Sequence, residues 1–145
     1  MILDSRQQTA ATLSTIPGGQ EFLTWYMERF ETAVSSGVSF HDCEVVELHL
    51  SRSGPSSLTI SLVYAEPATV RFVLTDWIDV HIDGFSHQNV LGDMTLRIAG
   101  ERDVAGWELG VGLQPGQLEL VLEPCFGANG SIRATIASVE LRPSG

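Results

Sequence analysis

Leu58-Thr59-Ile60-Ser61-Leu62-Val63-Tyr64 decides the fold class of this chain. Apolar side chains at 58, 60, 62 and 64 alternate with the hydroxyls of Thr59 and Ser61. Successive side chains of a strand point to opposite faces, so this stretch presents one dry and one wet face. The same period of two extends outward in both directions. Upstream, Val46, Leu48 and Leu50 alternate with Glu47 and His49. Downstream come Val70, Phe72 and Leu74, then Ile78, Val80 and Ile82 against Asp79, His81 and Asp83. Met94, Leu96 and Ile98 make a further run, followed by Trp107, Leu109, Val111 and Leu113, and by Leu118, Leu120 and Leu122. In the last run Ile132, Ala134 and Ile136 share one parity while Val139 and Leu141 share the other. A bulge near Ala137-Ser138 accounts for the switch, because one extra residue flips the facing side.

Turn residues separate these runs: Ser53-Gly54-Pro55-Ser56, Glu66-Pro67, Gly84, Gln114-Pro115-Gly116 and Gly127-Ala128-Asn129-Gly130. Short links between alternating runs make hairpins, and hairpins pair antiparallel. The sequence therefore predicts a mainly β fold of the α+β class. About eight antiparallel strands form a curled sheet, a sandwich or a partly open barrel, since so many do not stay in one flat layer.

Ahead of the strands the period changes to that of a helix. Phe22, Leu23, Tyr26, Met27, Phe30, Ala33 and Val34 recur at spacings of three and four. They predict one amphipathic helix over 20–36, packed on the sheet, which opens after Pro17-Gly18-Gly19 and closes at Ser36-Gly37. Residues 1–14 carry only weak periodicity and read as a loose arm or a short helix. The expected organisation is an arm, 1–14, followed by one β-rich domain, 15–145.

Composition narrows the class further. A chain of 145 residues suits one domain, and a hydrophobic share of 43% excludes disorder. Nothing approaches the roughly 18 consecutive apolar residues of a bilayer-spanning helix. Eight basic residues, all Arg, stand against 18 acids, for a net charge of −10. Phosphate backbones and anionic membranes are held by clustered cations, so single, scattered arginines in an acidic chain argue against both as partners. No basic stretch leads into an apolar one at the N-terminus, and the expected location is the cytoplasm. Cys43 and Cys125, far apart and in no CxxC pair, read as small buried hydrophobes of a reducing compartment.

Three constellations are candidates for chemistry or binding. Asp79, His81 and Asp83 share the wet face of one strand, with His87 just beyond its turn, and make a candidate divalent-metal set. Against that, strand neighbours on one face lie about 6.6–7 Å apart, whereas ligands converge within about 2.0–2.2 Å of one ion. The competing reading is a solvated strand face. Phe40-His41-Asp42 is either an oriented general base or a structural strand entry with Phe40 in the core. Trp25 lies about 130° from the middle of the apolar stripe at ~100° per residue, with Arg29 one turn on and able to stack on the indole. It is either an interface residue or packs beneath the arm or a loop. No nucleophile elbow, dinucleotide fingerprint, phosphate loop or HExxH pattern occurs, and no cofactor is expected.

Taken in order, Phe40-His41-Asp42-Cys43-Glu44-Val45, Val80-His81-Ile82-Asp83-Gly84-Phe85 through Gln88-Asn89-Val90, Cys125-Phe126-Gly127 and a final strand ending at Arg142-Pro143 resemble small bacterial domains of the Immunity protein 50 family. The similarity spans residues 22–143, with Cys43 where a small residue such as Ala is more usual. The resemblance implies a mainly β domain that binds protein and neutralises a toxin, and it carries over no catalytic residues. The expectation is thus a non-enzymatic inhibitor that occludes a cytosolic toxin. Trp25, Arg29, Asp76, Asp79, Asp83 and Asp93 are its candidate contact residues, joined by Glu66. The alternatives are a self-associating structural domain and a metal-dependent hydrolase built on Asp79, His81, Asp83 and His87.

Overall fold

The computed structural model describes residues 4–30, 37–62, 67–98 and 117–143. Among these residues two helices, α1 (Ser5–Leu13) and α2 (Gly19–Phe30), precede six strands: β1 (Glu44–His49), β2 (Ser56–Leu62), β3 (Ala68–Asp83), β4 (Val90–Ile98), β5 (Leu118–Phe126) and β6 (Asn129–Pro143). The strands pair antiparallel and close a barrel in the order β1-β2-β3-β6-β5-β4. The expected mainly antiparallel β architecture is the one found, with the barrel closed.

The parity switch in the last strand is a bulge. Val73 pairs with Ser138 and Leu74 with Ile136, which leaves Ala137 as the extra residue on β6. Ile132, Ala134 and Ile136 before it, and Val139 after it, are all buried. A second irregularity merges two runs that read as separate strands, 70–74 and 78–82, into the single β3. Thr75 pairs with Thr135 and Asp79 with Arg133, so Asp76, Trp77 and Ile78 stand opposite Ala134 alone. Two extra residues are an even number, so parity survives: Leu74 is fully buried and Val80 and Ile82 pack on the same core. Asp76 takes a positive φ of 48° there. The run 107–113, Tyr64 and the last part of the 20–36 helix lie outside the described residues.

Closure of the barrel is brief. Glu44 pairs with Val90, and around it Asp42 N–H donates to Leu91 O (2.9 Å), Leu91 N–H to Cys43 O (2.8 Å) and Val45 N–H to Asn89 O (2.9 Å). Farther along β4 the edge is covered by α1, where Leu96 N–H donates to Thr9 Oγ1 (3.0 Å) and Thr9 in turn donates to Ser5 O (2.7 Å). On β6 the pairing with β5 ends at Ala134, and Val139 N–H donates instead to Pro17 O (2.8 Å). The first helix and the link to the second thus supply acceptors to β4 and β6 where, among the described residues, those edges have no ladder partner, and buried N–H groups require one. Gly18 makes this approach possible: its φ is +84°, and a Cβ there would run into the Val139 carbonyl.

Of the two readings of residues 1–14, the short helix is the one found, over Ser5–Leu13, and not the loose arm. Asp4 caps α1, with Gln7 N–H donating to Asp4 Oδ1 (2.8 Å) and Asp4 N–H to Gln7 Oε1 (3.0 Å). Thr9, Ala10 and Leu13 are buried. From α2, Phe22 stacks on Phe40 (centroids 5.9 Å apart), whose ring meets Phe72 of β3 edge-on at 6.2 Å. These three rings join helix, strand entry and barrel wall in one core.

Candidate functional site

Several candidates turn out to be parts of the framework. Trp25 is only 7% exposed, and the Arg29 guanidinium covers its ring at 4.7 Å from the centroid. The expected stacking is present, but a buried indole offers no contact surface. Arg29, half-buried, also pairs with Glu28 (3.0 Å). Asp93 is buried as well: its carboxylate accepts from Arg6 Nε (2.8 Å), Phe40 N–H (3.0 Å) and Met94 N–H (2.8 Å). Neither Trp25 nor Asp93 is available to a partner.

Phe40-His41-Asp42 is a strand entry. Phe40 is fully buried, His41 Nδ1 donates to Gly92 O (2.9 Å), and Asp42, at φ +65°, donates its N–H into the barrel closure. The Asp42 carboxylate lies 3.5 Å from His41 Nε2, and both side chains are exposed. Cys43 is buried as expected, whereas Cys125 is exposed.

The strand face at 79–83 projects outward. His81 and Asp83 are exposed, paired in register with Ser131 and Asn129. Asp79 lies opposite Arg133, and its side chain is outside the description. Among the described residues no three His, Cys, Asp or Glu side chains gather to hold a metal ion. His87 is exposed on the loop after β3. Asp76 is exposed, and its carbonyl accepts from Gln117 Nε2 (2.7 Å). Glu66 lies outside the described residues.

Charge on the barrel wall is organised across strands. Arg97, Glu119 and Arg133 are register partners on β4, β5 and β6. Glu119 accepts from Arg97 Nε (3.0 Å) and Arg133 Nε (2.8 Å). Burial raises the Glu119 carboxyl pKa, but hydrogen bonds from Arg133 and Arg97 lower it by more in sum, so it lies below the usual glutamate range.

What is presented outward is a pair of turns. The loop after β3 and the β5–β6 turn abut, since a Cβ on Gly84 would come within 2.9 Å of Gly127 O. Asn89 ties them: its Oδ1 accepts from Ser86 N–H (2.9 Å) and Ala128 N–H (3.1 Å). On this fixed base Phe85 is 48% exposed and Phe126 56% exposed. Beside Phe126 lies a shallow depression of about 420 Å³ lined by Asp83, Pro124, Cys125 and Asn129 among others. Exposed Asp83 lines it, exposed Glu123 directly precedes Pro124 in the chain, and Glu44 stands in the cross-strand row Glu44–Val90–Phe126. No Arg occurs in 72–96 or 103–132. The site thus sets an exposed phenylalanine beside the carboxylate of Asp83.

Alternation alone misses Phe126, because it shares parity with buried Leu118, Leu120 and Leu122. The signal that marks it is local: Phe85 follows one turn glycine and Phe126 precedes another. Comparison with family models, curated proteins and solved structures finds no match to this chain. No helix of the described residues is long and apolar enough to cross a membrane.

Proposed function

We propose that this protein is a non-enzymatic binding domain, an immunity-like inhibitor that docks on a basic face of a cytosolic toxin. The observation that carries the reading is the Phe85/Phe126 pair, two large apolar side chains held outward on adjoining turns, with Asp83 lining the depression beside Phe126 and Glu44 in the same cross-strand row as Phe126. Rigid aromatic anchors with a charged rim are what protein interfaces use, and carboxylates steer the encounter with a basic partner. The resemblance of the quoted segments to Immunity protein 50 domains supports the toxin as the partner class.

The test is co-expression with the toxin domain encoded beside this chain's gene. The wild-type protein is expected to restore growth and to form a stoichiometric complex. Phe85→Ala with Phe126→Ala is expected to weaken the complex at least about a hundredfold with unchanged melting temperature. Full protection by the double variant sinks the assignment of the surface. Light scattering tests the second reading, self-association: a dimer that the double variant dissolves would give these phenylalanines to a second copy of the chain.

A further inference from the structure

The depression beside Phe126 lies where two strands part. The last register pair of β5 with β6 is Leu122 with Gly130, so residues 123–129 loop out between them. Past that point, among the described residues, Phe126 pairs only toward β4, with Val90, and Asn129 only toward β3, with Asp83. Asp83 and Asn129 are thus the final cross-strand pair of β3 and β6, and both are exposed. Directly opposed side chains have Cβ atoms about 4.5–5.5 Å apart, which sets a carboxylate and a side-chain amide next to each other along one wall. Phe126 and Pro124 belong to the same lining.

The electrostatics of this lining have one sign. Asp83 is the one charged side chain among the described residues that line the depression, and no Arg or His lines it. Its Oδ1 accepts from Gly84 N–H (3.0 Å), which fixes the direction of the carboxylate. Arg133, farther along β6 from Asn129, turns its Nε to Glu119 instead (2.8 Å). Pro124 brings no N–H to the depression. Acceptors stand on one side, then, and an exposed aromatic ring on the other, with no cation of the lining itself to answer the carboxylate.

That combination suits a guanidinium. It is planar, carries five N–H donors in a rigid fork and stacks on aromatic faces, whereas a lysine ammonium is a compact, strongly hydrated point charge. We propose that the depression seats an arginine side chain of the partner, its fork on Asp83 and Asn129 and its plane against the Phe126 ring. The inference rests on the reading of this surface as a docking site and names the partner group that the site takes. The phenylalanines supply contact area, and Asp83 supplies selectivity, because a partner without a cation there would cover the carboxylate and leave it unpaired.

The experiment needs no partner protein. The intact chain is titrated at neutral pH and low salt with N-acetyl-arginine methylamide, with its lysine counterpart and with the citrulline derivative, a neutral isostere, and amide NMR shifts are followed. A saturable shift at Asp83, Gly84, Phe126 and Asn129 with the arginine derivative is expected at about 1–50 mM, with lysine at least about threefold weaker and citrulline without effect. Asp83→Asn, which keeps an acceptor for Gly84 N–H, is expected to weaken binding about fivefold. Phe126→Leu, which keeps apolar bulk but no ring, is expected to weaken it about threefold, both with unchanged melting temperature. No saturable shift up to about 50 mM overturns the proposal, as does lysine binding as tightly as arginine, or an affinity that both variants leave unchanged. Growth rescue by co-expression is read separately: loss of the arginine seat alone leaves the Phe85/Phe126 surface standing, and loss of rescue alone removes the toxin and keeps the seat.

Discussion

The Asp93 carboxylate, 5% exposed, accepts from the Arg6 guanidinium and from the main-chain N–H groups of Phe40 and Met94, and so joins α1, the strand entry and β4. Truncation leaves the Phe40 N–H buried without an acceptor. Asp93→Ala is expected to cost about 3 kcal/mol in urea unfolding, and Asp93→Asn about 1 kcal/mol, because an amide oxygen still accepts. Glu119 gives a pH-dependent counterpart. Its folded pKa is depressed, so its contribution is fully present above the unfolded value, ordinarily 4.5, and fades as pH falls through the lower folded value. Melting curves between pH 7 and 3 are expected to steepen in that acid window, and Glu119→Gln to flatten the slope while lowering neutral stability by about 1–2 kcal/mol. Of these two roles little is legible in sequence. An Asp on an acidic chain looks like a solvated charge, and its burial follows from irregular β4–β5 pairing at Leu91–Asp93 that no period-two pattern announces.

At the level of elements, the clearest success of sequence reading is the bulge at Ala137, because an odd insertion leaves its trace in the order of apolar residues. Deleting Ala137 brings Val139 and Leu141 into one unbroken alternation with Ile132, Ala134 and Ile136, so the core face is kept and only the bend that the extra residue gives β6 is lost. The deletion is expected to keep a cooperative thermal transition with a midpoint lowered by about 5–10 °C, through the lost bend, whereas Ala137→Ser, exposed and unpaired, is expected to shift it by less than about 2 °C. The wide irregularity in β3 is silent for the complementary reason: it adds an even number of residues and breaks no phase. Helix α1 stays one of two open readings in the sequence because Ser5, Gln7, Gln8, Thr9 and Thr12 make no apolar stripe. Its one sequence signal is the capping pair Asp4 and Gln7, three residues apart. The α2 stripe finds Phe22, Leu23 and Tyr26 correctly but places Trp25 outside the core, since angular position ignores what a neighbouring guanidinium can cover.

For the whole molecule, strand alternation foretells the antiparallel class and the core parity, and neither the closing of the barrel nor the choice of exposed aromatics. Closure depends on how strands far apart in sequence meet, and exposure on which turn residues adjoin; both are long-range. The same long-range geometry has a dynamic corollary. Strands β3 and β6 are zipped over thirteen register pairs, but β1 meets β4 through a single pair and the few hydrogen bonds around it. The cylinder should therefore breathe there first. In native-state deuterium exchange the amides of Asp42, Val45 and Leu91 are expected to trade their protons together and well before those of β3 and β6, marking a low-energy opening distinct from global unfolding. Uniform protection across both places would mean that this short junction is as strong as the long one. If it does yield, heat or denaturant splits the wall along one line, and the phenylalanine-bearing turns next to it loosen before the rest of the molecule does.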